Sequence, residues 1–261
     1  MKQLLRQELG KVLNWRLLVA CLFLMTAAYF DYTALGGPAI PEFVAYEAND
    51  YFNICYYLSF FLLLLSADLG SKHPERLSAG QGLGVAAAFS GLEVLLYFLL
   101  PMLVCIVVSG EVDFSGVWSG LMDQQVAEMY SPWGAMGAAW LLLFARALFL
   151  NSLALVVNRA TGRPMGVFAI LGVLLIDWWL YEIFDVAIPW GILPIEHTRL
   201  SYTEAAAPTF GEVAREPVWV SLLYWAALIG LLVAVLWVVE RRQRESVRKL
   251  EGGATNEASY Q

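Results

Sequence analysis

The chain has 261 residues, of which 59% are hydrophobic and 15% charged, with a formal net charge of −7. A mean hydropathy of +0.62 fits no soluble globular class and points to a polytopic membrane protein. Two histidines, His73 and His197, and three cysteines inside apolar stretches, with no CxxC or HExxH spacing, argue against metal and haem chemistry.

At the amino terminus, Leu5, Leu9, Val12 and Leu13 share one face of a helical wheel, and Lys2, Arg6 and Lys11 fall largely elsewhere. This pattern predicts a helix over residues 1–16 lying in the membrane interface. A cleavable signal peptide is the competing reading of residues 1–35, but the segment is long and amphipathic and no small-x-small site follows.

Six apolar stretches come next, at residues 17–30, 51–66, 83–109, 133–157, 165–184 and 218–239. A helix of roughly 20 residues crosses the hydrocarbon, and all but the first stretch reach that length once flanking Trp and Tyr are included. The expected fold class is all-α, a six-helix transmembrane bundle. Residues 17–240 form the bundle and 241–261 a tail, in a single transmembrane domain.

Thirteen of the sixteen Lys and Arg residues fall in four segments: the amino terminus, the loop with Lys72 and Arg76, the pair Arg159 and Arg163, and residues 241–249. Cytoplasmic loops collect Lys and Arg, so a multi-pass protein of the cell membrane with both termini inside is expected. The intervening segments, 31–50, 110–132 and 185–217, carry thirteen acids against Arg199 and Arg215 and are expected outside. Such a field concentrates cations at the outer surface, although general acidity of the chain accounts for it as well.

Between the second and third stretches, residues 68–82 form a loop bounded by Gly70, Gly80 and Gly82. Pro74 can start a short polar helix there, presenting Lys72, His73, Glu75, Arg76 and Leu77 to a cytosolic partner; a solvated connector is the plain alternative. The run Leu77–Gln81, LSAGQ, resembles the LSGGQ signature of ATP-binding-cassette ATPases. The chain has no GxxxxGK[ST] phosphate loop and no room for a nucleotide-binding fold, so any ATP hydrolysis belongs to another chain.

Three charges stand out deep inside the apolar stretches. Counted from the cytoplasmic ends, Glu93, Arg146 and Asp177 lie roughly 15, 16 and 18 Å deep. A lone charge at mid-bilayer costs at least about 2.5–3.5 kcal/mol, so Arg146 is expected to pair with Asp177 or Glu93, backed by Asn151, Tyr97 and Tyr181. The cluster reads either as a polar spot on a transport path or as an ion pair that fixes helix register. Catalysis by Glu93 and Asp177 has little support, because no Ser, His or metal ligand accompanies them.

Residues 186–195, with Pro189 and Pro194, are too few to cross a membrane and too apolar for an ordinary loop. Together with the amphipathic start, the six stretches and the charged turn, this segment resembles the membrane subunits of type-2 ATP-binding-cassette exporters, small six-span permeases. The resemblance implies that the outer segment between spans five and six is re-entrant. It also implies a second copy or related permease, and two separate ATPase subunits gripping the turn at Lys72–Leu77, with ATP and Mg on those subunits and no cofactor here. The lipid bilayer is the remaining partner, and no nucleic acid is expected. Cargo would be a peptide, a lipid or a hydrophobic compound. The turn lacks the family's small-residue, Pro, Ser/Arg pattern; Arg76 and Leu77 stand in its place. The alternative is a non-transporting membrane interaction protein, such as an immunity or assembly factor.

Overall fold

The computed structural model describes residues 10, 15–50, 53–66, 69, 78–110, 112–122, 124–183, 194–200 and 218–258, and all regular structure among them is helical. In chain order these are α1 (Trp15–Ala34), α2 (Ile40–Glu47), a π-helical turn (Asn53–Leu58) running into α3 (Ser59–Ser66), and α4 (Ala79–Ser109). They continue with α5 (Gln124–Met129), α6 (Pro132–Thr161), α7 (Gly166–Ile183), a 3-10 turn (Glu196–Thr198) and α8 (Val218–Ala258). Among the described residues, four helices are long and apolar enough to cross a membrane: α1, α4, α6 and the Val218–Arg242 part of α8. Two shorter apolar helical stretches, Asn53–Leu65 and Gly166–Trp179, occupy the second and fifth predicted positions. The described residues are thus all-helical, with four apolar helices compatible with a membrane protein.

Local chemistry explains where the long helices begin and end. The Ser78 hydroxyl accepts from the Gln81 N–H at 3.3 Å, and the Gln81 side chain accepts from the Ser78 N–H at 3.1 Å, a reciprocal capping box. The LSAGQ run is thus a helix start, and α4 begins at Ala79 rather than at residue 83 as expected. Ser131 caps α6, with Pro132 in the first turn where its missing N–H costs nothing, and Gly162 ends the helix at φ +64°. Gly166 then packs so tightly on Ala154 that an added Cβ would fall 2.8–2.9 Å from it, which fixes the α6–α7 approach.

Helix α6 is the central element, packed against α2, α4, α7 and α8. Two thirds of its apolar window (67%) is buried by other helices, against 11% for α8, so α6 is the core and α8 turns most of its surface outward. On α4, Leu95, Leu99, Leu103 and Val107 are exposed at a spacing of four, a single stripe suited to lipid. Trp219, Leu223, Leu231 and Val235 do the same on α8.

The bundle has a basic end, with Arg16, Arg159, Arg163 and Arg241, and an acidic end, with α2, residues 112–122 and the 3-10 turn. At the acidic end the structure departs from expectation. Residues 31–50 are not an exposed loop: they contain α2, in which Ile40, Phe43, Val44 and Ala45 are buried along with Glu42 and Glu47. Two acids in eight residues read as polar, but Glu42 Oε1 accepts from backbone donors more than seventy residues downstream. In the tail, α8 continues as a helix to Ala258, with an Arg241–Glu245 pair one turn apart. Most of the interfacial segment 1–16, the turn residues Lys72, His73, Glu75, Arg76 and Leu77, and residues 186–193 of the outer segment lie outside the described residues.

Candidate functional site

Arg146 sits halfway along α6 among Leu142, Leu143, Ala147 and Leu150, all buried. An apolar helix of this kind offers a guanidinium no water, so its donors must find protein partners. Its Nη2 donates to Asp177 Oδ2 of α7 at 2.9 Å, with the two side chains 1% and 0% exposed. Its Nη1 donates to Thr198 Oγ1 at 3.3 Å, and Thr198 donates in turn to the Pro194 carbonyl at 2.8 Å. Among the described residues, Arg146 Nε has no hydrogen-bond partner.

Thr198 carries this network into the acidic-end segment that follows α7. Next to it, His197 Nδ1 pairs with Ser221 Oγ at 3.0 Å, and its ring stacks on Tyr224 at 3.9 Å between centroids. The indole of Trp225, itself buried, donates to the His197 carbonyl at 2.9 Å. Arg199 Nε donates to the Asn49 carbonyl at 2.9 Å, and the Leu200 N–H donates to Asn49 Oδ1. Residues 194–200 are therefore wedged between α6, α7, α8 and the end of α2. Their contacts with Ser221–Trp225 put them about 5–10 Å below the start of α8.

Glu93 is not part of that ion pair. Asn151 Nδ2 donates to Glu93 Oε2 at 2.7 Å and lies 2.9 Å from Ser90 Oγ, and Ser90 donates to the Ala86 carbonyl. All three side chains are buried. Asn151 lies five residues beyond Arg146, about 7.5 Å along α6 toward the basic end, which separates the two networks. Tyr97 turns elsewhere, donating to the Glu47 carbonyl at 3.2 Å, and the Tyr181 side chain lies outside the described residues.

Leu69 and Ala79, on either side of residues 70–77, are held by side chains remote in sequence. On one side Asn158 Nδ2 donates to the Leu69 carbonyl at 2.8 Å, while its Oδ1 accepts from the Gly166 N–H. On the other, the Ala79 N–H at the first turn of α4 donates to Glu240 Oε2 of α8 at 2.8 Å. An acid at a helix N-terminus meets the unpaired amides and the positive end of the helix dipole.

Spacing along the chain gave no sign of Glu240 or Asn158, whose partners are remote in sequence. Glu42 is a third such residue. Its Oε1 accepts the N–H groups of Ser119, Gly120 and Leu121 at 2.8, 3.2 and 3.1 Å, clamping residues 112–122 onto α2. The capping box at Ser78 and Gln81 did carry a signal, the S-x-x-Q spacing. Among the described residues, no group of three or more His, Cys, Asp or Glu is placed to hold a metal ion. No family model, curated protein or solved structure matches the chain.

Proposed function

We propose that the chain is the transmembrane permease subunit of an ATP-driven exporter, moving a peptide, lipid or hydrophobic compound with energy from separate ATPase subunits. In this reading α1, the Asn53–Ser66 helical run, α4, α6, α7 and α8 are six spans in the cell membrane, and the basic end faces the cytoplasm. The observation that carries the proposal is the wedging of residues 194–200 into the acidic end of the bundle, with Thr198 on Arg146 and His197 on Ser221. Pro194 and Ile195 end the apolar segment 186–195, which the resemblance to type-2 exporters implies is re-entrant.

The flanks of the turn agree with a coupling role. Leu69 is tied to α6 through Asn158, and Ala79 to α8 through Glu240. A push on residues 70–77 from a bound ATPase would reach α4, α6 and α8 together. At the opposite end, the Arg146, Asp177 and Thr198 contacts link α6 and α7 to the outer segment, so a shift of those helices would be felt there.

Copurification tests the proposal. Gentle extraction should recover a soluble ATPase chain in stoichiometric amount, together with a second copy of this chain or a related permease. Reproducible absence of any ATPase would overturn it.

One observation favours a second reading, a non-transporting membrane interaction protein. Glu93, Arg146 and Asp177 are each engaged by partners inside the chain and are at most 1% exposed. Groups so enclosed hold helix register well and offer little to a passing cargo.

A further inference from the structure

We propose that Asp31, on α1, and Glu47, on α2, share a single proton in a carboxyl–carboxylate hydrogen bond, forming a proton-binding site at the acidic end of the bundle. The inference is independent of the transport reading.

It begins with a contrast among the buried acids. Glu42 accepts three backbone amides, Glu93 an Asn amide and Asp177 a guanidinium. Glu47 is equally buried, at 1% exposure, yet among the described residues neither of its carboxyl oxygens meets a donor. Oδ2 of Asp31 is in the same condition. The two carboxyls lie within hydrogen-bonding reach of each other. Two ionised carboxylates cannot occupy such a site, whereas one proton turns one oxygen into a donor and satisfies both groups. On release that proton passes to water and leaves two like charges in contact.

Among the described residues, the charged groups that act on Glu47 are carboxylates. Asp50 lies close enough to repel Glu47, and its Oδ2 already accepts from the Asn53 N–H at 3.1 Å. Tyr46 beside Glu47, Tyr57 of the π-helical turn, and Tyr97 and Cys105 of α4 complete the titratable groups that face it. Arg199 is committed through Nε to the Asn49 carbonyl. Burial first, and then the charges of Asp31 and Asp50, hold the Glu47 carboxyl well above its ordinary value of 4.5. Burial and the same carboxylates push the Tyr46 phenol up to about 12, so it stays neutral and cannot take the proton. A two-carboxyl site with one free oxygen pair suits a proton better than a metal ion, which needs more ligands.

The test uses the full chain in detergent, with infrared difference spectra and thermal unfolding recorded from about pH 5 to about pH 9. A raised folded-state value means that the stability contributed is complete below the ordinary glutamate value and is lost as pH rises through the raised one. Wild type should therefore show a protonated-acid carbonyl stretch at neutral pH and unfold at lower temperature as pH rises. Glu47→Gln, which keeps a donor without the charge, should lack that stretch and lose most of the pH dependence. Asp31→Asn, leaving Glu47 free to accept, should do the same and serves where the first variant folds poorly. No acid stretch at neutral pH, or stability that rises with pH, would overturn the proposal. So would restoration of wild-type stability at alkaline pH by sodium or calcium, absent in Glu47→Gln, which would assign the site to a cation instead.

Discussion

Arg146 of α6 and Asp177 of α7 form a buried ion pair at 2.9 Å, and the second guanidinium nitrogen reaches Thr198 in the segment that follows α7. A single side chain thus joins two helices and a loop. Truncating it leaves a carboxylate with its countercharge gone, a loss of about 3–5 kcal/mol when a buried pair is broken. Arg146→Met should lower thermal stability in detergent accordingly. Adding Asp177→Leu should recover most of the loss, while adding Glu93→Leu should recover little, because Glu93 rests on Asn151. Equal recovery by both would contradict the separation of the two networks.

The clamp made by Glu42 is open to a local measurement. Glu42→Ala removes the acceptor shared by the amides of Ser119, Gly120 and Leu121. Hydrogen bonds to a charged group contribute about 1.5–3 kcal/mol, and water can replace part of that at this half-exposed loop. Hydrogen exchange at residues 119–121 should speed up markedly, with only a modest fall in global stability. Unchanged exchange there would mean that the loop is held by other contacts.

Orientation can be read from two exposed positions at opposite ends of the bundle. In a background lacking Cys21, Cys55 and Cys105, Val117→Cys at the acidic end should react with an impermeant thiol reagent in intact cells. Ala160→Cys, at the basic end, should react only after permeabilisation. The reverse pattern would invert the topology. Ala45, also in the segment expected outside, is buried and would not report.

The parts of this architecture that could be read from the chain are those governed by bulk solvation. A long apolar run must be helical in lipid, and charges at matched depth must meet, so the helices and the Arg146–Asp177 contact were within reach of arithmetic on the sequence. Glu93 was harder, because a neutral amide such as Asn151 competes with Arg146 as a partner and depth alone cannot choose between them. The burial of Glu42 is not legible in the sequence, since burying an acid depends on partners brought in by tertiary contact, here the remote backbone amides of Ser119, Gly120 and Leu121. The start of α4 is legible in the S-x-x-Q spacing of Ser78 and Gln81, which lies within the run that resembles an ATPase signature. The π-helical turn at Asn53–Leu58 has no comparable signature in the residues that form it.

The turn at residues 70–77 is where the account of this protein as an ATP-driven permease is most exposed. The purified chain, reconstituted in lipid with the ATPase that copurifies with it, should raise that ATPase's rate above its basal level. Replacing Glu75, Arg76 and Leu77 together with Ala should leave insertion and pairing of the membrane subunit intact. If the turn is the coupling element, ATPase stimulation in that variant falls to the basal rate; stimulation unchanged from wild type would contradict the role assigned to the turn.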